Sequence, residues 1–297
     1  MTSIVTAQRL RSMLFVPADN ERKLAKAVSN PADALILDLE DSVVEARKVG
    51  ARRSAADFIA AHASKIGAQL FVRINPLTTP LAMGDLAAVV VPGLAGIMLP
   101  KANSAADIVR LGHCLDALEA RAGMQIGAVC IVPVATETAA AMLNMQSYAG
   151  PVPRLAGITW GAEDLSAAIG ALSNRDDDGA LSPLYALANS LCLCAATAAG
   201  VPAIDTLYVD FKDEAGLAAA CRTSRRRGFR GRVAIHPDQS AIINAAYAPT
   251  SEELAHAQRI VAAFAANPEA GALSIDGAMI DRPHLIQARL TLAQSNN

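Results

Sequence analysis

Acidic side chains recur in this chain at the ends of apolar runs. LAGITWGAEDLSAAIG at 155–170 closes an apolar stretch with the only tryptophan, Trp160, and then sets Glu163 beside Asp164. DALILDLED at 33–41 ends in Asp38, Glu40 and Asp41, and IVPVATETAAAM at 131–142 carries Glu137. Three further runs end in bases: FVRIN in Arg73, IMLPK in Lys101 and VAIHP in His236. A carboxylate at the end of a buried strand is costly unless something pairs with it. Four or five facing one cavity would raise one another's pKa unless a cation neutralised them. The donors are oxygens, with no cysteine and a single histidine among them, a set that selects Mg²⁺ or Mn²⁺ over zinc. Mg²⁺ takes one or two carboxylates and fills its octahedron with water and substrate oxygens. Asp164 also has a plainer reading, as the cap of the helix that follows it.

The elements that would position these groups repeat eight times. Aliphatic or β-branched runs stand at 12–18, 33–40, 69–75, 96–100, 126–134, 155–161, 202–209 and 232–237. Each is almost continuously apolar, as expected of a parallel strand covered on both faces. Ala-rich stretches with helical spacing lie between them, such as ADIVRLGHCLDALEARA at 106–122. Alternating strand and helix implies a parallel sheet with right-handed crossovers, and eight units in about 250 residues match a (β/α)8 barrel. A doubly wound open sheet is the rival, but no GxGxxG follows the first strand. In a barrel, chemistry belongs at the C-terminal ends of the strands, where the acids and bases are found. Glu137 and Asp164 would then end adjacent strands about 5 Å apart. The expected division is a barrel over 1–247 and a C-terminal extension over 248–297, with a helix near 251–266.

Bulk properties exclude several classes. A net charge of −2 and 4% aromatic residues leave no electrostatic footprint for nucleic acid. No apolar stretch reaches about 18 residues, and no basic, apolar leader opens the chain, so a soluble cytoplasmic protein is expected. The five cysteines are scattered, without zinc spacing, and read as buried reduced thiols.

Taken in order, several motifs resemble one family. They are RSMLFVPA at 11–18, LDLEDSV at 37–43, FVRIN at 71–75, MLPKANSAAD at 98–107 and ETA at 137–139. WGAEDLSAAIG at 160–170, AIDTLYVDFKDEAGL at 203–217, GFRGRVAIHPDQ at 228–239 and SIDGAMIDRPH at 274–284 follow. The chain resembles the citrate lyase β-subunit-like branch of the HpcH/HpaI aldolase superfamily, which includes malyl-CoA and citramalyl-CoA lyases. The resemblance implies Mg²⁺ held by Glu137 and Asp164, and a substrate carboxylate on the backbone amides of Ala162, Glu163 and Asp164. It implies Arg73 on the reacting oxygens. Asp276 would be the catalytic acid/base, delivered by the extension of an adjacent subunit in a homotrimer or hexamer. Phe15, Arg22 and Lys26 match positions that hold CoA, with His236 on the same rim. Asp38 and Glu40 alternate onto one side of their strand and would act in the outer metal shell.

The implied activity is reversible Claisen cleavage of a 3-hydroxy-3-carboxyacyl-CoA thioester into an acyl-CoA and a 2-oxoacid. Alternatives on the same fold are a non-catalytic acyl-CoA or oxoacid binder, a subunit of a larger lyase complex, or an aldolase acting on free oxoacids. Three departures from the family pattern bear on the substrate: Ala18 for a glycine, Leu187 for an arginine and Ala278 for a lysine.

Overall fold

The computed structural model describes residues 9–294. Backbone contacts divide the chain into two compact units, Met1–Asn244 and Ala245–Asn297.

In the first unit strands and helices alternate as β1 (Ser12–Pro17), α1 (Glu21–Ala27), β2 (Ala34–Asp38), α2 (Lys48–His62), β3 (Gln69–Arg73) and α3 (Leu81–Val89). Next come β4 (Gly96–Leu99), α4 (Ala105–Arg121), β5 (Cys130–Pro133), α5 (Ala139–Leu143) and β6 (Ile158–Thr159). Two helices, α6 (Ala162–Ile169) and α7 (Pro183–Ala199), precede β7 (Ala203–Asp205). Then follow α8 (Glu214–Arg227), β8 (Gly231–Ala234) and α9 (Gln239–Tyr247), whose last three residues belong to the second unit.

The strands form one sheet in the order β5-β4-β3-β2-β1-β8-β7-β6, with every neighbouring pair parallel. Single parallel bridges, Ile131 to Leu155 and Val134 to Thr159, close β5 onto β6. The result is the (β/α)8 barrel expected from the apolar runs. Its interior is filled by Met13, Ile36, Phe71, Met98, Val132 and Val233 among others. Gly96 is required by this packing, because a Cβ there would lie 2.3 Å from Phe71 Cε1. β6 keeps only two of the seven residues in its apolar run. Around it the ladder is carried by separate bonds, such as Ala135 N to Thr159 O at 2.9 Å.

The second unit contains α10 (Ser251–Ala266), an antiparallel hairpin of β9 (Ala272–Ile275) and β10 (Ala278–Asp281), and α11 (Arg282–Ala293). A capping box of Thr250 and Glu253 starts α10, which matches the helix expected near 251–266. Ile260, Phe264, Ile280 and Leu285 form a core within this unit. The hairpin turns on Asp276 and Gly277, with φ of 51° and 80°, a two-residue connection suited to the right-handed twist of its strands.

No helix among the described residues is long and apolar enough to cross a membrane. Cys130, Cys192 and Cys221 are buried, whereas Cys194 is exposed, so the expectation of buried thiols fails at that position. The reason is helical phase: Cys192 and Cys194 are two residues apart on α7 and therefore point to different faces.

Candidate active site

The site is built from strand ends. Register pairs Asp38 with Arg73 across β2 and β3, placing the two side chains together. Arg73 donates from Nε to Asp38 Oδ1 and from Nη2 to Oδ2, both at 2.7 Å, a bidentate fork. Burial alone would raise the Asp38 carboxyl. The bonds and charge of Arg73, with amides from Ser42 and Glu40, outweigh that and hold it below its ordinary value. The guanidinium also lies over the Phe15 ring, 4.5 Å from its centroid. Two residues on, Glu40 sits between two cations. Arg73 Nη1 is 3.0 Å from its Oε2, and Lys101 Nζ donates to its Oε1. Burial pushes Glu40 up to about 7 despite both cations, and its Oε2 is buried without an aligned donor. The backbone carrying it is pinned from behind by Lys48, whose Nζ donates to Leu39 O, Glu40 O and Asn75 Oδ1 at 2.8–2.9 Å.

Lys101 joins this pair to the next strands. Its ammonium lies 3.1 Å from Asp164 Oδ1, and its backbone N–H donates to Glu137 Oε2 at 2.5 Å. Burial and the nearby Asp164 charge push Glu137 up to about 8, against the opposing pull of Lys101. Glu137 precedes α5, whose cap is the Thr138 hydroxyl. Asp164 lies in the first turn of α6. Gly161 makes their approach possible, since a Cβ there would lie 2.9 Å from Glu137 Cγ. Asp164 does not cap α6. The N-cap is Gly161 and no side chain closes that end, so the plainer reading of Asp164 loses its support.

The cluster therefore contains Asp38, Glu40, Glu137 and Asp164 against Arg73 and Lys101, a surplus of two negative charges once all four carboxylates are ionised. A divalent cation would neutralise it. Among the described residues no group of three or more His, Cys, Asp or Glu forms a metal cage. Two carboxylates with open coordination positions suit Mg²⁺, which keeps water and substrate oxygens as ligands. The donor set fits that ion.

Other expected residues fall into different settings. Glu163 points elsewhere, accepting from Asn174 at 2.9 Å. Ala162 is buried at the start of α6, whose first amides take no side-chain cap. Arg22 and Lys26 lie on the exposed side of α1. His236 follows β8 and stacks on Phe211, with ring centroids 4.8 Å apart. Asp276 belongs to the second unit, where Arg259 Nη2 lies 3.1 Å from its carboxylate. Of the two residues expected in the outer metal shell, Asp38 binds Arg73, and Glu40 contacts both Arg73 and Lys101.

Sequence reasoning missed several groups. Lys101 was visible as a strand-end base but had no assigned role. Trp160 is buried and donates from Nε1 to Asp205 at 2.8 Å, and Asp205 in turn pairs with Arg232. A cavity of about 920 Å³ beside β7 is lined by Trp160, Glu163, Asn189, Tyr208 and Arg227 among others, but not by Glu137 or Asp164.

A family model for HpcH/HpaI aldolase/citrate lyase matches residues 11–237. The chain belongs to that family. Among its relatives is a citrate lyase subunit beta-like protein of Mycobacterium tuberculosis, 38% identical over 95% of this chain and 94% of the relative. A Cereibacter sphaeroides protein described as (3S)-malyl-CoA thioesterase is 35% identical over 97% of this chain and 95% of its own. Among solved structures, CitE from M. tuberculosis in complex with magnesium, acetoacetate and coenzyme A matches with a TM-score of 0.76. It is 34% identical, and the match covers 97% of this chain and 98% of that one. A citrate lyase beta subunit from the same organism, complexed with oxaloacetate and magnesium, matches at 0.66 and 34% identity over 82% and 98%. This member of the HpcH/HpaI family thus shares its barrel with proteins crystallised with magnesium, with CoA and with oxoacids.

Proposed function

We propose that this protein is a Mg²⁺-dependent carbon–carbon lyase that reversibly cleaves a 3-hydroxy-3-carboxyacyl-CoA thioester into an acyl-CoA and a 2-oxoacid. The observation that carries the reading is the gathering of four carboxylates, Glu137, Asp164, Glu40 and Asp38, around only two cations, Arg73 and Lys101. Glu137 and Asp164 would hold the ion, which supplies Lewis-acid polarisation of the oxoacid oxygens when bound.

The remaining chemistry falls to the chain itself. In cleavage the carbinol O–H loses its proton, the C–C bond breaks and its electron pair passes to the thioester as an enolate. Glu40, buried and pushed up to about 7, is poised to take the carbinol proton. Arg73, locked by Asp38, stabilises the negative charge that develops on oxygen, an effect strengthened by burial. Asp276 supplies a proton to the enolate carbon, carried in by the extension of a neighbouring subunit in a homotrimer or hexamer. The first amides of α6 and the exposed bases of α1 would receive the substrate carboxylate and CoA, respectively.

The test is a panel of malyl-CoA, citramalyl-CoA, β-methylmalyl-CoA and citryl-CoA incubated with Mg²⁺, with acyl-CoA and oxoacid measured together. The expected result is equimolar formation of both products from at least one substrate, abolished by EDTA. Free CoA with an intact hydroxy-diacid would instead mark a thioesterase, the activity for which one relative is named. Turnover indifferent to EDTA and to Glu137→Gln would overturn the metal mechanism.

A further inference from the structure

Lys101 lies just beyond β4 and adopts φ of 52°, a left-handed backbone that is unusual for a residue with a Cβ. Its backbone N–H bonds Glu137, and its ammonium contacts Asp164 and Glu40. Both of the family's expected metal carboxylates are therefore already engaged by one residue.

The two cations of the cluster differ in how firmly they are held. Arg73 is fixed by the fork to Asp38, by Glu40 and by the Phe15 ring. Lys101 has a compact charge on a flexible four-carbon stem. Its side chain is 28% exposed, and a further acid, the 60% exposed Asp41, lies 3.4 Å from Nζ toward solvent. Of the two cations, Lys101 is the one with an acid on its solvent side, Asp41, toward which its ammonium can move.

We propose that Lys101 is a tethered counter-ion for the metal carboxylates: its ammonium holds Asp164 and Glu40 while no divalent ion is bound, and an incoming ion must take Asp164 from it. The inference rests on reading Glu137 and Asp164 as the metal ligands. Lys101 then keeps three acids assembled that would otherwise repel one another, and competition for Asp164 sets the metal concentration at which the site fills. Its release toward Asp41 leaves the backbone bond to Glu137 in place, so one ligand stays oriented while the other exchanges partners.

Isothermal titration of Mg²⁺ into the EDTA-stripped, full-length protein tests this, with circular dichroism confirming that each variant is folded. Lys101→Met removes the competitor and is expected to bind Mg²⁺ roughly tenfold more tightly than the wild type. Lys101→Arg retains the competing charge and is expected to stay within about threefold of it. Lys101→Gln replaces the methionine variant if that one unfolds, with the same tightening expected. Equal affinity in the wild type and the neutral variants would overturn the counter-ion role while leaving the metal site standing. A wild type that binds no Mg²⁺ would overturn the metal reading itself.

Discussion

The acids of the barrel rim and the acid of the C-terminal hairpin are prepared in opposite ways. Asp38 and Glu137 are 1% and 4% exposed, and each is oriented by donors from another strand or loop. Asp276 is 65% exposed and, among the described residues, pairs with an arginine that is itself 56% exposed. Even the shared backbone feature differs in use. The positive φ of Lys101 aims donors at buried acids, whereas the positive φ of Asp276 turns a hairpin. Burial and cross-strand bonds preorganise groups that must hold charge in place. If Asp276 is the acid/base proposed above, it can remain in water until the substrate arrives.

The sharpest way to break this contrast is to remove charge from the rim. Glu137→Gln or Asp164→Asn should lower kcat/KM by about 10³-fold or more, since an ion's electrostatic contribution is worth several kcal/mol. Calorimetry should show Mg²⁺ binding lost in step with activity. Asp276→Asn should cost about 10²–10⁴ in kcat, the usual range for a general acid/base, and leave Mg²⁺ affinity unchanged. Mixing Asp276→Ala with Arg73→Ala subunits tests whether the residue acts across an interface, because a shared site should regain partial activity. Asp38→Asn should lower the melting temperature as well as activity. Breaking a buried ion pair costs about 3–5 kcal/mol, a loss that Asp276→Asn should not share.

A pH series sharpens the same comparison. Carboxyls raised in the folded state, here Glu137 to about 8 and Glu40 to about 7, add stability below their unfolded values. That stability is lost as pH rises from about 4.5 through 8. Mg²⁺ held by ionised Glu137, as proposed, would oppose the loss, so the melting-temperature gain on adding Mg²⁺ should be larger at pH 8.5 than at pH 6. The smallest effect is expected for Lys26→Ala. As an exposed charge, it should change the KM for a CoA thioester by severalfold at most and leave kcat alone.

The barrel was legible because each strand is an unbroken apolar run, and such runs survive without knowledge of partners. Glu137 and Asp164 were legible as acids at strand ends, and their pairing followed from strand order. Lys101 was harder to interpret. Its partners Glu40 and Asp164 lie 61 and 63 positions away, and nothing local marks its left-handed backbone. At 272–281 a turn role for Asp276 was readable, but the two strands flanking it were not named, although Asp276–Gly277 between alternating apolar residues is a strong hairpin signal. Helical phase, not composition, decided that Cys194 faces outward while Cys192 does not.

The joint between β5 and β6 has a mechanical consequence. Elsewhere the barrel wall is a ladder of consecutive paired residues, but here it is closed by isolated bridges at Ile131 and Val134 and by separate backbone bonds. Glu137 follows the strand on one side of this joint and Asp164 follows the strand on the other. An ion held by both, as proposed, would act as a clasp across this part of the wall. Amide hydrogen exchange along Ile131–Ala135 and Leu155–Thr159 should slow on loading with Mg²⁺, more than it does on the β1–β2 side. Filling the site and fastening the barrel would be one event.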